Sequence, residues 1–206
     1  CKLIKKMLQL VEPITPKKDA KLQVLQEGLR KGISQQRGKV LIFSQYADTA
    51  RYLYENINPG GKRKDIECIF GTEKSKARMA ERFSPLANRS DFVGTPDEVN
   101  ILVATDVMSE GLNLQDCDVV VNYDLHWNPV RLIQRFGRID RIGTENDRIW
   151  GFNFLPETEL EKGLGLHEVL RRRIEEIQDS IGEDAAILDK DEQIKDEAMY
   201  AIYEQK

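Results

Sequence analysis

The stretch Gln134-Arg135-Phe136-Gly137-Arg138-Ile139-Asp140-Arg141 holds the residue types best suited to handling a phosphate. On a helix, about 100° of turn per residue places Gln134, Arg138 and Arg141 within roughly 60° of one another. Leu132, Phe136 and Ile139 fall on the opposite side. One face then packs on a core while the other presents two guanidiniums and an amide. A guanidinium is planar, permanently charged and able to grip oxygens bidentately. Two arginines a turn apart are, taken alone, also what a solvated charged face looks like, so the weight rests on what else shares their neighbourhood.

Three further groups of polar residues follow short apolar runs. Val40-Leu41-Ile42-Phe43 leads into Ser44-Gln45, Ile101 to Ala104 into Thr105-Asp106, and Val119 to Val121 into Asn122-Tyr123-Asp124. Continuous apolar runs of this length mark strands buried on both faces. In a parallel α/β sheet, ligands gather beyond the carboxyl ends of the strands. Hydroxyls, amides, carboxylates and arginines thus converge on one rim. Taken singly, Thr105 and Asp106 would serve equally well as helix caps.

The elements that must carry this rim alternate. A short amphipathic helix is expected over residues 2–11. Asp19 is placed to cap a second helix running to about Arg30, with Leu22, Leu25 and Leu29 at helical spacing. After the first strand come a helix over about 48–56, a turn at Asn58-Pro59-Gly60-Gly61, a strand over 66–70 and a helix over 75–83. The helix carrying Gln134 to Arg141 starts after Pro129, well placed for a first turn, and a last strand runs from about Arg148 to Phe154. Strands alternating with helices predict a parallel sheet with helices on both faces. Residues 84–99 are a long polar insertion, read as a mobile connection. Leu166, Val169, Leu170, Ile174, Ile177 and Ile181 form an apolar stripe at helical spacing, with Arg171, Arg172 and Arg173 between stripe positions, and a further acidic helix is expected over 190–205. This gives a helical lead-in over 1–18, an α/β lobe over 19–155 and a helical appendage over 156–206.

Composition narrows the function classes. The 206 residues are 40% hydrophobic, enough for one large core. No apolar run approaches the roughly 20 residues that span a bilayer, so no membrane partner is expected. The chain opens on Cys1 rather than Met, without a signal-peptide pattern, and we expect a longer parent protein. Cys1, Cys68 and Cys117 lack CxxC spacing, and His126 and His167 are the only histidines. No metal site is expected, and the setting reads as a reducing, cytoplasmic one. The net charge of −4 is not that of a freestanding nucleic-acid module, yet a few placed groups suffice to touch a phosphate backbone. No GxxxxGK[ST] loop occurs. Asp97-Glu98-Val99-Asn100 imitates a metal-holding acidic box but precedes a strand instead of ending one, and is read as chance.

In combination these segments resemble the second RecA-like lobe of superfamily 2 helicases and translocases, most closely SWI/SNF-type ATPases of the bacterial RapA-like branch. Asp19 to Leu22 together with Lys39 to Tyr46 resemble motif IV. Ile101 to Gln115 resemble motif V, Tyr123 to Pro129 the D-x-x-W-N-P segment, and Gln134 to Gly143 motif VI. The match covers about residues 19–155. Gly137 stands where many remodellers carry an acidic residue and Thr144 where many carry Gln, which favours the bacterial branch.

The resemblance implies an α/β fold of RecA type with ATP and Mg2+ held mainly by an N-terminal lobe. It implies that Arg138 and Arg141 act as arginine fingers toward the γ-phosphate and that Gln134 orders them. Gly111 and Asn113 then lie near the nucleotide, and Ser44 and Thr105 contact the nucleic-acid backbone. The implied partners are nucleic acid, as double-stranded DNA, the N-terminal lobe, and RNA polymerase. The isolated chain is expected to be inactive. Alternatives are a docking lobe without catalysis, a freestanding nucleotide-binding domain, which the absent phosphate loop disfavours, and the motor of a nuclease or restriction system.

Overall fold

A computed structural model describes residues 2–33, 38–69, 73–124, 126, 129–140, 146, 148–154 and 172. Five strands form one parallel sheet: β1 (Lys39–Ser44), β2 (Ile66–Cys68), β3 (Ile101–Thr105), β4 (Cys117–Asn122) and β5 (Trp150–Asn153). Their spatial order is β2-β3-β1-β4-β5, and every neighbouring pair is parallel. β1 and β3 are buried at every position, the reason their sequences read as unbroken apolar runs.

The two faces of the sheet are covered by different helices. α2 (Ala20–Gly28) and α3 (Ala47–Ile57) lie on one, where Leu22, Leu25, Ala50 and Leu53 pack with Val40, Ile42, Val103 and Val121. On the other, Ala80 and Phe83 of α4 (Glu73–Phe83) pack with Leu41, Phe43, Leu102 and Val120. Ile139, just beyond α6 (Pro129–Phe136), joins that second core. Alternate residues of β1 therefore feed opposite cores, the period-2 consequence of a strand. Asp19 caps α2 by accepting the Leu22 N–H at 3.0 Å, as its position predicts. A four-residue helix, α5 (Asp106–Ser109), follows β3.

Three expectations need correction or limit. α6 stops at Phe136 instead of running on to Arg141. Gly137 follows at once, and its N–H bonds the Ile133 carbonyl before the chain turns. Glycine is a poor helix former, so the break falls where propensity is lowest. Residues 84–99 are fastened, not loose. The Asp116 carboxylate accepts the N–H groups of Leu86 (2.7 Å) and Ala87 (2.9 Å), and the Asn88 amide reaches the carbonyls of Ala80, Ser84 and Asn113. Glu98 takes the Lys39 ammonium at 2.6 Å and the Gly94 N–H, so the imitation acidic box is committed to holding this segment. The apolar stripe of 166–181 and the expected helix of 190–205 lie outside the described residues.

α1 (Lys2–Val11) forms as its spacing predicts, but Leu3, Ile4, Met7, Leu8, Leu10 and Val11 are all more than half exposed. Cys68 and Cys117 are buried free thiols. Burial pushes the Cys68 thiol up to about 12 and the Cys117 thiol further in the same direction.

β5 meets the end of α6 at Gly151. A Cβ there would sit 2.5 Å from Cζ of the Phe136 ring. Gly151→Ala must displace that ring from the core, and overpacking of this kind costs about 1–3 kcal/mol. Urea unfolding should show the loss as a lower midpoint. An unchanged midpoint would mean that the ring moves aside freely.

Candidate functional site

The connections leaving β1 and β4 go to opposite faces of the sheet, through α3 and through α6. Adjacent strands whose chains diverge this way leave a crevice at their carboxyl ends. The polar strand ends border it. Register places Ser44 beside Thr105, Phe43 beside Asn122, and Asn122 beside Asn153.

At the centre of this edge is a residue that the helical wheel assigns to neither face. Arg135 of α6 is 1% exposed. Its Nε and Nη2 donate to the two carboxylate oxygens of Asp106 at 2.6 and 2.8 Å, a bidentate fork. Nη1 donates to Asn122 Oδ1 at 2.7 Å and to the Asp124 carbonyl at 3.3 Å. The guanidinium lies over the Phe43 ring, 5.0 Å from its centre. Its charge is met by a carboxylate and its donors by oxygens, the condition for tolerating an ion pair away from water. Removing one partner alone costs about 3–5 kcal/mol, because the other is left uncompensated.

The network continues outward. Asn122 Nδ2 donates to Asn153 Oδ1 at 2.8 Å on β5. The Asp124 carboxylate accepts from Ser44 Oγ at 2.5 Å, the Gln45 N–H at 3.3 Å and Lys21 Nζ at 3.4 Å. Lys21 also stands over the Tyr123 ring, 4.1 Å from its centre. One connected set thus ties α2, the ends of β1, β3, β4 and β5, and α6.

Of the residues singled out from sequence, Ser44 and Thr105 are neighbours at this edge, both buried. The Ser44 hydroxyl donates to Asp124 and accepts the Tyr46 N–H. Gln134 is exposed and Arg138 half-buried. Arg138 is carried by the turn after α6, its N–H on the Arg135 carbonyl at 3.3 Å. Arg141 and Thr144 lie outside the described residues.

Gly111 has φ +80, with open space where a side chain would be, a conformation that glycine adopts without steric cost. Asn113 donates through Nδ2 to Ala87 O of the 84–99 segment, and its buried Oδ1 has no hydrogen-bond partner. Gly111 and Gln134 are thus exposed, Arg138 is half-buried, and Asn113 keeps one unused acceptor. Among the described residues no group of three or more His, Cys, Asp or Glu is placed to hold a metal ion.

Arg135, Asp106, Asn122, Asp124 and Lys21 were not recognised as a unit from sequence. For Arg135 the helical wheel gives no signal, since at about 100° from Gln134 it falls between the polar face and the apolar side. Asp106, Asn122 and Asp124 are among the strand-end residues expected on this rim, but their pairing with Arg135 joins distant parts of the chain and has no local signal.

Residues 20–143 match the helicase conserved C-terminal domain family, and the chain belongs to it as a superfamily 2 helicase C-terminal domain. The uncharacterized ATP-dependent helicase YqhH of Bacillus subtilis is 37% identical over 109 residues, covering 53% of this chain and 17% of that protein. The ATP-dependent RNA helicase DBP8 of Debaryomyces hansenii is 34% identical over 145 residues, 68% of this chain and 31% of that one. The ATP-dependent DNA helicase MPH1 of Pyricularia oryzae is 28% identical over 107 residues, 50% of this chain and 9% of that one. The chain thus spans less than a third of each of these relatives. Among solved structures, the C-terminal part of the Fun30 ATPase domain aligns with a TM-score of 0.56 at 18% identity, covering 73% of this chain and 44% of that one. The RNA helicase Prp28 from Chaetomium thermophilum, bound to ADP, aligns with a TM-score of 0.52 at 23% identity, covering 75% and 34%. Both share the RecA-like parallel sheet.

Proposed function

We propose that this chain is the second motor lobe of an ATP-dependent nucleic-acid translocase of the SWI/SNF type, on the bacterial RapA-like branch. The lobe proper is residues 19–155, with a helical lead-in over 1–18 and an appendage over 156–206. What supports the reading is Arg138, half-buried on the turn that follows α6 in a helicase C-terminal fold, its N–H on the carbonyl of the buried Arg135.

ATP with Mg2+, held mainly by a first RecA-like lobe outside this chain, supplies the phosphoryl group and its charge neutralisation. The part played by this chain is to bring Arg138 and Arg141 to the γ-phosphate when the two lobes close. Fingers of this kind are worth about 10³–10⁵ in rate, so hydrolysis depends on closure. Gln134, exposed one turn before Arg138, orders the pair, while Gly111 and Asn113 border the nucleotide. Thr105 and Ser44 hold the nucleic-acid backbone, and Ser44 does so in exchange with Asp124. Closing and reopening then shift these contacts against those of the first lobe. Contacts to phosphates carry no sequence information, which suits movement along double-stranded DNA in association with RNA polymerase. The buried free thiols support a reducing cytoplasmic setting.

Thr105→Ala in the full-length protein tests the reading. Nucleic-acid-stimulated ATPase should fall several-fold more than basal ATPase, by similar factors on unrelated DNA sequences. The chain alone should show negligible ATPase. Equal loss of both rates together with a lower melting temperature would reduce Thr105 to a structural residue, and Mg2+-dependent hydrolysis by the chain alone, insensitive to Arg138→Ala, would defeat the two-lobe reading.

A further inference from the structure

We propose that Asn88 is a positioning residue that sets Asn113 at the nucleotide border of this lobe. The inference rests on the proposed function, which assigns Asn113 to that border, and it gives a role to the 84–99 segment. After α5 the chain runs from Gly111 to Asp116 without helix or strand before β4 begins. Leu112 and Leu114 sink into the core that α4 covers. Asn113 and Asp116 need a separate hold, and residues 86–88 supply it.

The hydrogen bonds run in both directions. Asn88 Nδ2 donates to the Asn113 carbonyl at 3.0 Å, and Asn113 Nδ2 donates to the Ala87 carbonyl at 3.2 Å. The carboxylate oxygens of Asp116 accept the N–H groups of Leu86 and Ala87. Backbone and side chain of Asn113 are thus both held from Ala87 and Asn88, neighbours in sequence. Asn88 is itself fixed to the end of α4, where its amide also donates to the carbonyls of Ala80 at 3.1 Å and Ser84 at 2.7 Å. Ala80 and Phe83 anchor that helix in the core, so α4 is the firm body from which Asn113 is set. Asn113 Oδ1 is buried without a hydrogen-bond partner. An unmet buried acceptor is costly, and the cost falls at the position that the proposed function gives to the nucleotide.

The test uses the full-length protein with N88A, N88Q, N113A and the double variant N88A/N113A. N58A is the stability control. Asn58 is likewise buried and donates to two carbonyls, those of Arg63 and Ile66, but it stands at the turn before β2. Melting temperature, DNA affinity, and kcat and KM for ATP at saturating DNA are measured for each. The expected result for N88A is a KM raised about five- to tenfold, with kcat and DNA affinity within about threefold, the pattern of lost ground-state binding. N88Q keeps both N–H donors and should recover part of the loss. The double variant should be no worse than N113A alone, because the two residues act in series. N58A should lower the melting temperature and leave KM unchanged.

An unchanged KM in N88A would overturn the proposal. So would a KM that rises equally in N58A at the same loss of melting temperature, the mark of general loosening. Effects of N88A and N113A that add in full would overturn it as well. If N88A does not fold, D116N, which weakens the same hold at Leu86 and Ala87, takes its place under the same criteria. An N113A variant with wild-type KM would instead remove Asn113 from the nucleotide, and that part of the proposed function would fall with this inference. That outcome is read without touching Asn88, so the two failures are separable.

Discussion

Arg138→Ala in the full-length protein should lower the maximal ATPase rate by about 10³–10⁵, equivalent to roughly 4–7 kcal/mol of transition-state stabilisation. The affinity for ATP and for DNA should change little. A finger meets charge that develops as the phosphoryl group departs, so its loss appears in the rate more than in ground-state binding. The half-buried position of Arg138, on a turn anchored at its backbone, fits a side chain that waits for a ligand from outside the lobe. Arg141→Ala is expected to behave in the same way. Single-turnover kinetics with labelled ATP separates the two effects. A near-normal rate with weakened ATP affinity would make these arginines ground-state ligands and remove them from the chemistry.

Phe43→Ala should cost about 3–5 kcal/mol, a large share of the roughly 5–15 kcal/mol that holds a domain folded. Phe43 is fully buried on β1, the central strand, in the core that α4 covers. The substitution opens a cavity at the middle of the sheet and also removes the aromatic face beneath the Arg135 guanidinium. Ion pairing with Asp106 remains, so the charge is not orphaned, and the loss should be dominated by packing. Urea titration should show the midpoint dropping at an unchanged slope. A loss below about 1 kcal/mol would mean that neighbouring side chains collapse into the space.

The sheet was legible because its central strands are covered on both faces. Full coverage removes any reason for polar residues, and β1 and β3 read as continuous apolar runs. The Asp19 cap was legible because capping is local, a side chain meeting an N–H three residues on. The extent of α6 was misjudged even though Gly137 marked its end. The spacing of Gln134, Arg138 and Arg141 makes a tidy helical face, and that periodicity outweighed the poor helix propensity of one glycine. The 84–99 segment was misjudged for a different reason. It is polar and carries Pro and Gly, as mobile loops do, but its principal anchor, Asp116, lies about 30 positions further on and pairs with backbone groups that leave no mark in composition. At the site, Arg138 was singled out by its residue type. Arg135 was passed over because an arginine beside Phe136 looks like the edge of a charged face until its three oxygen-bearing partners are seen around it.

The strand order has a consequence for how the protein is made. β1 lies between β3 and β4, and its partners stand about 60 and 80 positions further along the chain. A ribosome extending the chain at about 5–20 residues per second releases β1 several seconds before β3 exists to pair with it, and longer before β4 does. For that interval Val40-Leu41-Ile42-Phe43 has two unpaired edges, and the face of Leu41 and Phe43 still lacks the partners that β3 and β4 bring. A segment that is fully buried in the finished lobe thus waits with both edges unpaired while the lobe is being built. Lys39 at its start and the polar Ser44-Gln45 at its end flank it as the gatekeeping residues that shield such runs from other nascent chains.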